Sequence, residues 1–221
     1  MKIIYQLTML MISSYGITAQ VTLANANTKE ATKSIGGEHS RANTLDTASF
    51  ATGCFWCTEV KFQQLTGVTK VVSGYCGGHI KKPSYAEVST GTTGHAETCN
   101  IIFDPSKISY DELLAAFFTA HDPTQLNRQG NDIGTQYRSA IFYHSQNQKA
   151  KALYYIDKLN KAKAYNKPIV TEVAPYTVFY KAEDYHQNYY NQNPEERYCK
   201  YVIQPELEKF REVFKGKLKQ E

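Results

Sequence analysis

The sequence predicts an α+β fold: a two-layer sandwich with a mixed sheet, built on a ferredoxin-like split βαβ core with extra helices. Three observations predict it. Segments of strand and helix character follow one another in the order β-α-β-β-α-β. Two Ser-x-x-Glu/Gln sequences open helical stretches. The chain of 221 residues is 42% hydrophobic and 13% aromatic, enough apolar material for one sizeable core.

Taken in order, residues 48–53 (ASFATG) read as a short strand that runs into a helix over 54–65. Residues 68–75 are β-branched and read as a strand ending at Gly77-Gly78. Residues 97–103 alternate, with Cys99, Ile101 and Phe103 on one face of another strand. Ser109 and Glu112 form a capping-box pattern, and the helix after it sets Leu113, Leu114, Phe117 and Phe118 at helical spacing. Residues 139–143 are a strand, and Ser145 with Gln148 opens a long helix to about Tyr165. Pro168 precedes a strand at 169–174, and helical stretches follow near 182–190 and 205–214.

The ends divide from this core by composition. Lys2 is followed by 26 residues without a formal charge, and Ala24-Asn25-Ala26 has the form of a signal-peptidase site. Residues 1–26 are therefore expected to be a signal peptide, with an exported, periplasmic or secreted product, or a cytoplasmic one if the leader is retained. Residues 27–47 are polar and free of aromatics, a flexible spacer; the folded domain runs over 48–216 and a fraying tail over 217–221. A net charge of +4, from 25 basic and 21 acidic residues, is too mild and too evenly spread for a nucleic-acid partner. No internal stretch reaches the ~18 apolar residues of a membrane helix, so no stable membrane insertion is expected.

The five cysteines are Cys54, Cys57, Cys76, Cys99 and Cys199. An odd number in an exported chain leaves a thiol unpaired or shared between alternative disulfides. Gly53-Cys54-Phe55-Trp56-Cys57 is the most informative segment. Gly53 permits a sharp strand-to-helix turn, which sets Cys54 near free backbone N–H groups and the positive end of a helix dipole. Both favour the thiolate, the nucleophilic form. Two other chemistries fit a cysteine pair here. One is a thiol–disulfide oxidoreductase using Cys54 and Cys57. The other is a zinc-binding or oxidant-sensing module drawing on Cys54, Cys57, Cys76 and His79 or His95, although no second C-x-x-C completes a ligand set.

Five further blocks lie downstream: 74–78 (GYCGG), 83–88 (PSYAEV), 93–97 (TGHAE), 128–139 (RQGNDIGTQYRS) and 182–187 (AEDYHQ). With 53–57, and in this order, they resemble the A-type peptide methionine sulfoxide reductases over residues 49–214. The resemblance implies a substrate, methionine-S-sulfoxide in free form, in peptides and in oxidised proteins, and no cofactor or metal. It implies Cys54 as nucleophile, Glu97 as proton donor, Tyr85 and Tyr137 as hydrogen-bond donors to the sulfoxide oxygen, and Phe55 and Trp56 as the pocket for the substrate methyl. Asp132 and His186 match positions near the substrate backbone. Cys199 matches a resolving cysteine, its disulfide with Cys54 reopened by a thioredoxin-like dithiol. The chain departs from the pattern at Cys57, where many relatives have glycine, and at Cys76, where they have threonine or alanine. Cys199 also lacks a glycine-rich tail, so Cys57 and Cys76 stand as alternative resolving residues. Cys99 is expected to be a buried strand residue.

Overall fold

The structure, a computed structural model, describes residues 44–220; the expected leader and the spacer as far as residue 43 lie outside the described residues. Strands β1 (Asp46–Thr52), β2 (Val68–Cys76) and β3 (Ala96–Phe103) are joined by helix α1 (Phe55–Gln63) and the short helix α2 (Tyr85–Ser89). Then come α3 (Tyr110–Ala120), the two-residue strands β4 (Arg128–Gln129) and β5 (Asp132–Ile133), and β6 (Ser139–Tyr143). The chain continues through α4 (Gln146–Lys161), β7 (Glu172–Pro175), β8 (Phe179–Lys181) and α5 (Tyr189–Gln192). A π-turn at Cys199–Ile203 leads into α6 (Gln204–Val213).

The main sheet has the order β7-β6-β1-β3-β2-β8. Its pairs are antiparallel except β6–β7, so the sheet is mixed. The inner four, β6-β1-β3-β2, place β3 between the parallel strands β1 and β2, the split βαβ arrangement. Strand alternation decides what each face carries. Phe50, Tyr75, Cys99, Ile101 and Phe103 face the helices, where Phe50 meets Phe62 and Phe117 at ring distances of 5.7 and 5.0 Å. Burying one such side chain stabilises the fold by about 1.5–3 kcal/mol. The opposite face carries a smaller cluster of Ala51, Cys76, Ala96, Ala140 and Phe142, covered by Tyr176 and Phe179.

Several element limits differ from the sequence expectation. β1 starts at Asp46, inside the expected spacer, because 46–48 pair with 101–103 of β3. The tail meets the domain through residues 217–219: Lys217 O accepts from Thr66 N, Lys219 N donates to Gln64 O, and Leu218 packs on the core. Gln148 reaches back to His144 N rather than to Ser145, so the second capping box is only half formed. α4 stops at Lys161 because Lys163 takes a left-handed φ of 49°. The helix expected near 182–190 breaks into a 3-10 turn, Asp184–His186, and α5. There the Gln187 amide leaves the local chain to bond both the N–H and the C=O of Ser73 on β2.

Candidate active site

The site is built at the β1–α1 elbow. Gly53 turns the chain at φ 97°, and a Cβ there would lie 2.6 Å from Gln129 Cβ, so only glycine fits. Cys54 takes the N-cap position of α1, and the elbow is pinned by Thr58, whose hydroxyl bonds Cys54 O at 3.1 Å and Thr52 Oγ1 at 2.6 Å. The thiol is buried, and this alters the expected electrostatics. Burial lifts the Cys54 thiol well above its ordinary value, and Cys57 and Glu97 add to the effect; the Cys57 N–H pulls only weakly the other way. Within this enclosure the desolvation of a thiolate outweighs the helix terminus. Burial thus favours the thiol form of Cys54 over the thiolate.

Glu97, on β3 opposite Tyr75, points into the same space. It is 2% exposed, and its Oε2 accepts from Phe55 N at 3.0 Å. Burial raises its carboxyl to about 8, offset in part by that N–H and reinforced by Asp132, so it carries a proton at neutral pH. Tyr85 opens α2 and Tyr137 lies on a 3-10 turn, Thr135–Tyr137. Both phenols are raised by burial first and by Glu97 next, and Cys54 also acts on each. Cys54, Glu97, Tyr85 and Tyr137 thus converge from four separate elements.

Phe55 and Trp56 form the apolar side, their rings 6.2 Å apart. Trp56 Nε1 donates to His186 Nδ1 at 3.2 Å. The indole only donates, so this bond fixes the neutral His186 tautomer with its proton on Nε2. Burial lowers the His186 pKa. His186 packs 5.0 Å from the Phe55 ring and 4.4 Å from the Tyr85 ring, almost fully enclosed. Its ring is thus enclosed among Phe55, Trp56 and Tyr85. Asp132 stands at the mouth, where Tyr198 donates to Oδ2 at 2.5 Å. A pocket of about 190 Å³ opens here, lined by Cys54, Cys57, Gln129, Asp132, Tyr198 and Val202.

Sequence reasoning passed over Tyr198 and Tyr189. Tyr189 stacks on Trp56 at 3.8 Å and 10°, and Tyr198 meets it edge-on at 6.1 Å. In a chain with 17 tyrosines no spacing singles these two out; the only available signal was their place beside His186 and Cys199.

The cysteines separate into three settings. Cys54, Cys57 and Cys199 share one buried cluster with Val60, Ile203 and Leu207. Within it the Cys57 Sγ meets the Tyr198 hydroxyl at 4.0 Å, and after burial Cys57 is the neighbour that raises the Cys54 thiol most. The Cys199 thiol, raised by burial, is raised next by Cys57. Cys99 is enclosed in the main core, its Sγ against Phe55 O at 3.5 Å. Cys76 lies in the cluster on the far face of the sheet, because its neighbour Tyr75 faces the helices. That removes Cys76 as a resolving residue, and with it the zinc set that needed Cys54, Cys57 and Cys76 together. Among the described residues no His/Cys/Asp/Glu group is arranged to hold a metal.

A buried thiol at a helix N-cap, a buried carboxyl raised to about 8 beside it and two further thiols in the same cluster are the parts of a thiol-dependent oxidoreductase. Comparison with known proteins narrows the class. The family model described as "Peptide methionine sulfoxide reductase" matches residues 46–218. Peptide methionine sulfoxide reductase MsrA of Deinococcus radiodurans is 49% identical over 195 residues, 88% of this chain and 94% of the relative. An MsrA of Thermus thermophilus is 52% identical over 172 residues, 78% and 97% of the two chains. Among solved structures, reduced Mxr1 of Saccharomyces cerevisiae superposes with a TM-score of 0.66 at 34% identity, covering 70% of this chain and 89% of that one. Methionine sulfoxide reductase A of Corynebacterium diphtheriae gives 0.62 at 37% identity, covering 70% and 77%. The chain belongs to the peptide methionine sulfoxide reductase family.

Proposed function

We propose that the protein reduces methionine-S-sulfoxide, free and in polypeptides, by attack of Cys54 on the sulfoxide sulfur, and so repairs oxidised proteins. The observation that carries this reading is the Glu97 carboxyl, buried beside an enclosed Cys54 thiol and raised by that burial to about 8. The substrate methyl packs on Phe55 and Trp56, and the S=O oxygen points to Glu97, Tyr85 and Tyr137. Glu97 gives its proton to the oxygen, and the proton leaving Cys54 replaces it. The hydroxyl passes from the substrate sulfur to Cys54 Sγ as the S–O bond and the new sulfur–sulfur bond both break, so methionine departs and Cys54 is left as a sulfenic acid. An enclosed pocket with donors on one side and rings on the other accepts one epimer. We expect reduction of a racemic sulfoxide by pure enzyme to stop at about half conversion. Consumption of both epimers at similar rates counts against this assignment of the pocket.

Recycling is part of the same proposal. The resemblance favours a Cys54–Cys199 disulfide, while the packing supports Cys57 as the first partner, since it sits three residues from Cys54 in the same buried cluster and lines the same pocket, which Cys199 does not. Cys57 condenses with the sulfenic acid and releases water. Cys199, lying against Cys57 and next to the surface residues Lys200 and Tyr201, then receives the disulfide by exchange, and an external dithiol of thioredoxin type reopens it. We expect Cys199→Ser to complete one turnover, to show a Cys54–Cys57 disulfide by mass spectrometry, and to lose coupled turnover. A persistent dimedone-reactive Cys54 in Cys199→Ser identifies Cys199 as the direct partner instead. Export belongs to the proposal too, supported by the A-x-A leader sequence, and it requires that the dithiol be an exported one.

A further inference from the structure

Glu59 is a second buried carboxyl, 3% exposed, and the chemistry above does not use it. It lies on α1, three residues beyond Trp56. Its Oε2 accepts from Asn188 N at 2.8 Å, and the Ser73 hydroxyl and Tyr189 N–H also face it. Burial raises it to about 7 against the pull of those donors. A buried acid is costly unless it satisfies something. Here it takes the N–H of Asn188, the N-cap of α5, which has no partner within the helix. The turn it holds is an unusual one: Asn188 has a left-handed φ of 55°, and Gln187 is bonded to Ser73 on both sides.

Two rings flank this turn. His186, just before it, accepts the Trp56 indole N–H. Tyr189, just after it, covers the Trp56 face at 3.8 Å. The orientation of Trp56 is therefore set from both ends of a turn whose anchor is Glu59. We propose that Glu59 is a positioning residue for the substrate pocket: by accepting the backbone N–H of Asn188 it fixes the His186–Tyr189 bracket that holds Trp56 in place. The proposal rests on the reading of Trp56 as a pocket wall.

Trp56 is the only tryptophan of the chain, so its emission reports the bracket directly. Glu59→Ala, checked for folding by circular dichroism, should raise KM for a methionine sulfoxide peptide roughly tenfold, the loss of one good anchor, while the single-turnover rate at saturation stays within about threefold. Trp56 emission should rise and move to longer wavelength as the Tyr189 stack is lost. Glu59→Gln keeps an acceptor oxygen for Asn188 N and should stay within about twofold of wild type in KM. Tyr189→Leu leaves the carboxyl untouched and should reproduce both the KM and the emission changes, with little added in the Glu59→Ala, Tyr189→Leu pair. Unchanged KM and emission in Glu59→Ala overturn the proposal, and so does an unchanged KM in Tyr189→Leu, which stands even if Glu59→Ala does not fold. Loss of the saturated rate with KM and emission unaltered overturns it as well. A wild-type protein that turned over no sulfoxide would defeat the reading of the site, while the emission comparison would still test the bracket.

Discussion

Cys54→Ser releases no methionine from a sulfoxide peptide in a single turnover. A hydroxyl is a far poorer nucleophile toward sulfur than a thiolate and far harder to ionise. The elbow itself should survive, since Gly53 and the Thr52–Thr58 hydroxyl bond are untouched. None of the neighbouring thiols can substitute: Cys57 is displaced along the helix, Cys199 is enclosed, and Cys99 and Cys76 lie in the two cores. Quenched-flow release of methionine from prereduced protein is the measurement. Release at the wild-type rate by Cys54→Ser would remove Cys54 from the chemistry.

Glu97→Gln slows the first step by roughly 100- to 10,000-fold, the range of a lost general acid, with a much smaller effect on substrate binding. The amide keeps the size of the side chain and an oxygen for the Phe55 N–H but carries no transferable proton. The raised carboxyl adds a pH signature with a definite sign. Glu97 works protonated, and its proton is lost as pH rises through about 8, so the wild-type first step should fall above that pH. The Gln variant has no such proton to lose, and that fall should vanish from its slow residual rate. A burst within about twofold of wild type would place the acid elsewhere.

The site candidates came from motif order, through the resemblance it carries, and not from periodicity. Alternation in 97–103 marks Cys99, Ile101 and Phe103 as one face, which the core contains, and Gly53 before Cys54 predicts an elbow whose φ requires glycine. α2 was passed over although Ser84 and Glu87 form a full capping box after Pro83; its five residues are too few to show a period. β4, β5 and β8 are two or three residues long and leave no alternation at all. Burial is the least legible property. The helix terminus argues for a Cys54 thiolate, but the enclosure that reverses the sign comes from residues as distant as Glu97 and Tyr198. The bracket around Trp56 is equally hidden: Glu59 meets Asn188 across 129 positions and Trp56 meets His186 across 130, separations that no local pattern encodes.

The central claim is that oxidation passes from the substrate sulfur to Cys54 and to no other atom first. Its most direct test is one turnover of the prereduced Cys57→Ser, Cys199→Ser protein with a methionine-S-sulfoxide peptide in the presence of dimedone, followed by peptide mass spectrometry and methionine quantitation. The account predicts one methionine released per protein chain and an equal amount of dimedone adduct, all of it on Cys54. Methionine release without an adduct on Cys54, or with the adduct on Cys99 or Cys76, would contradict it.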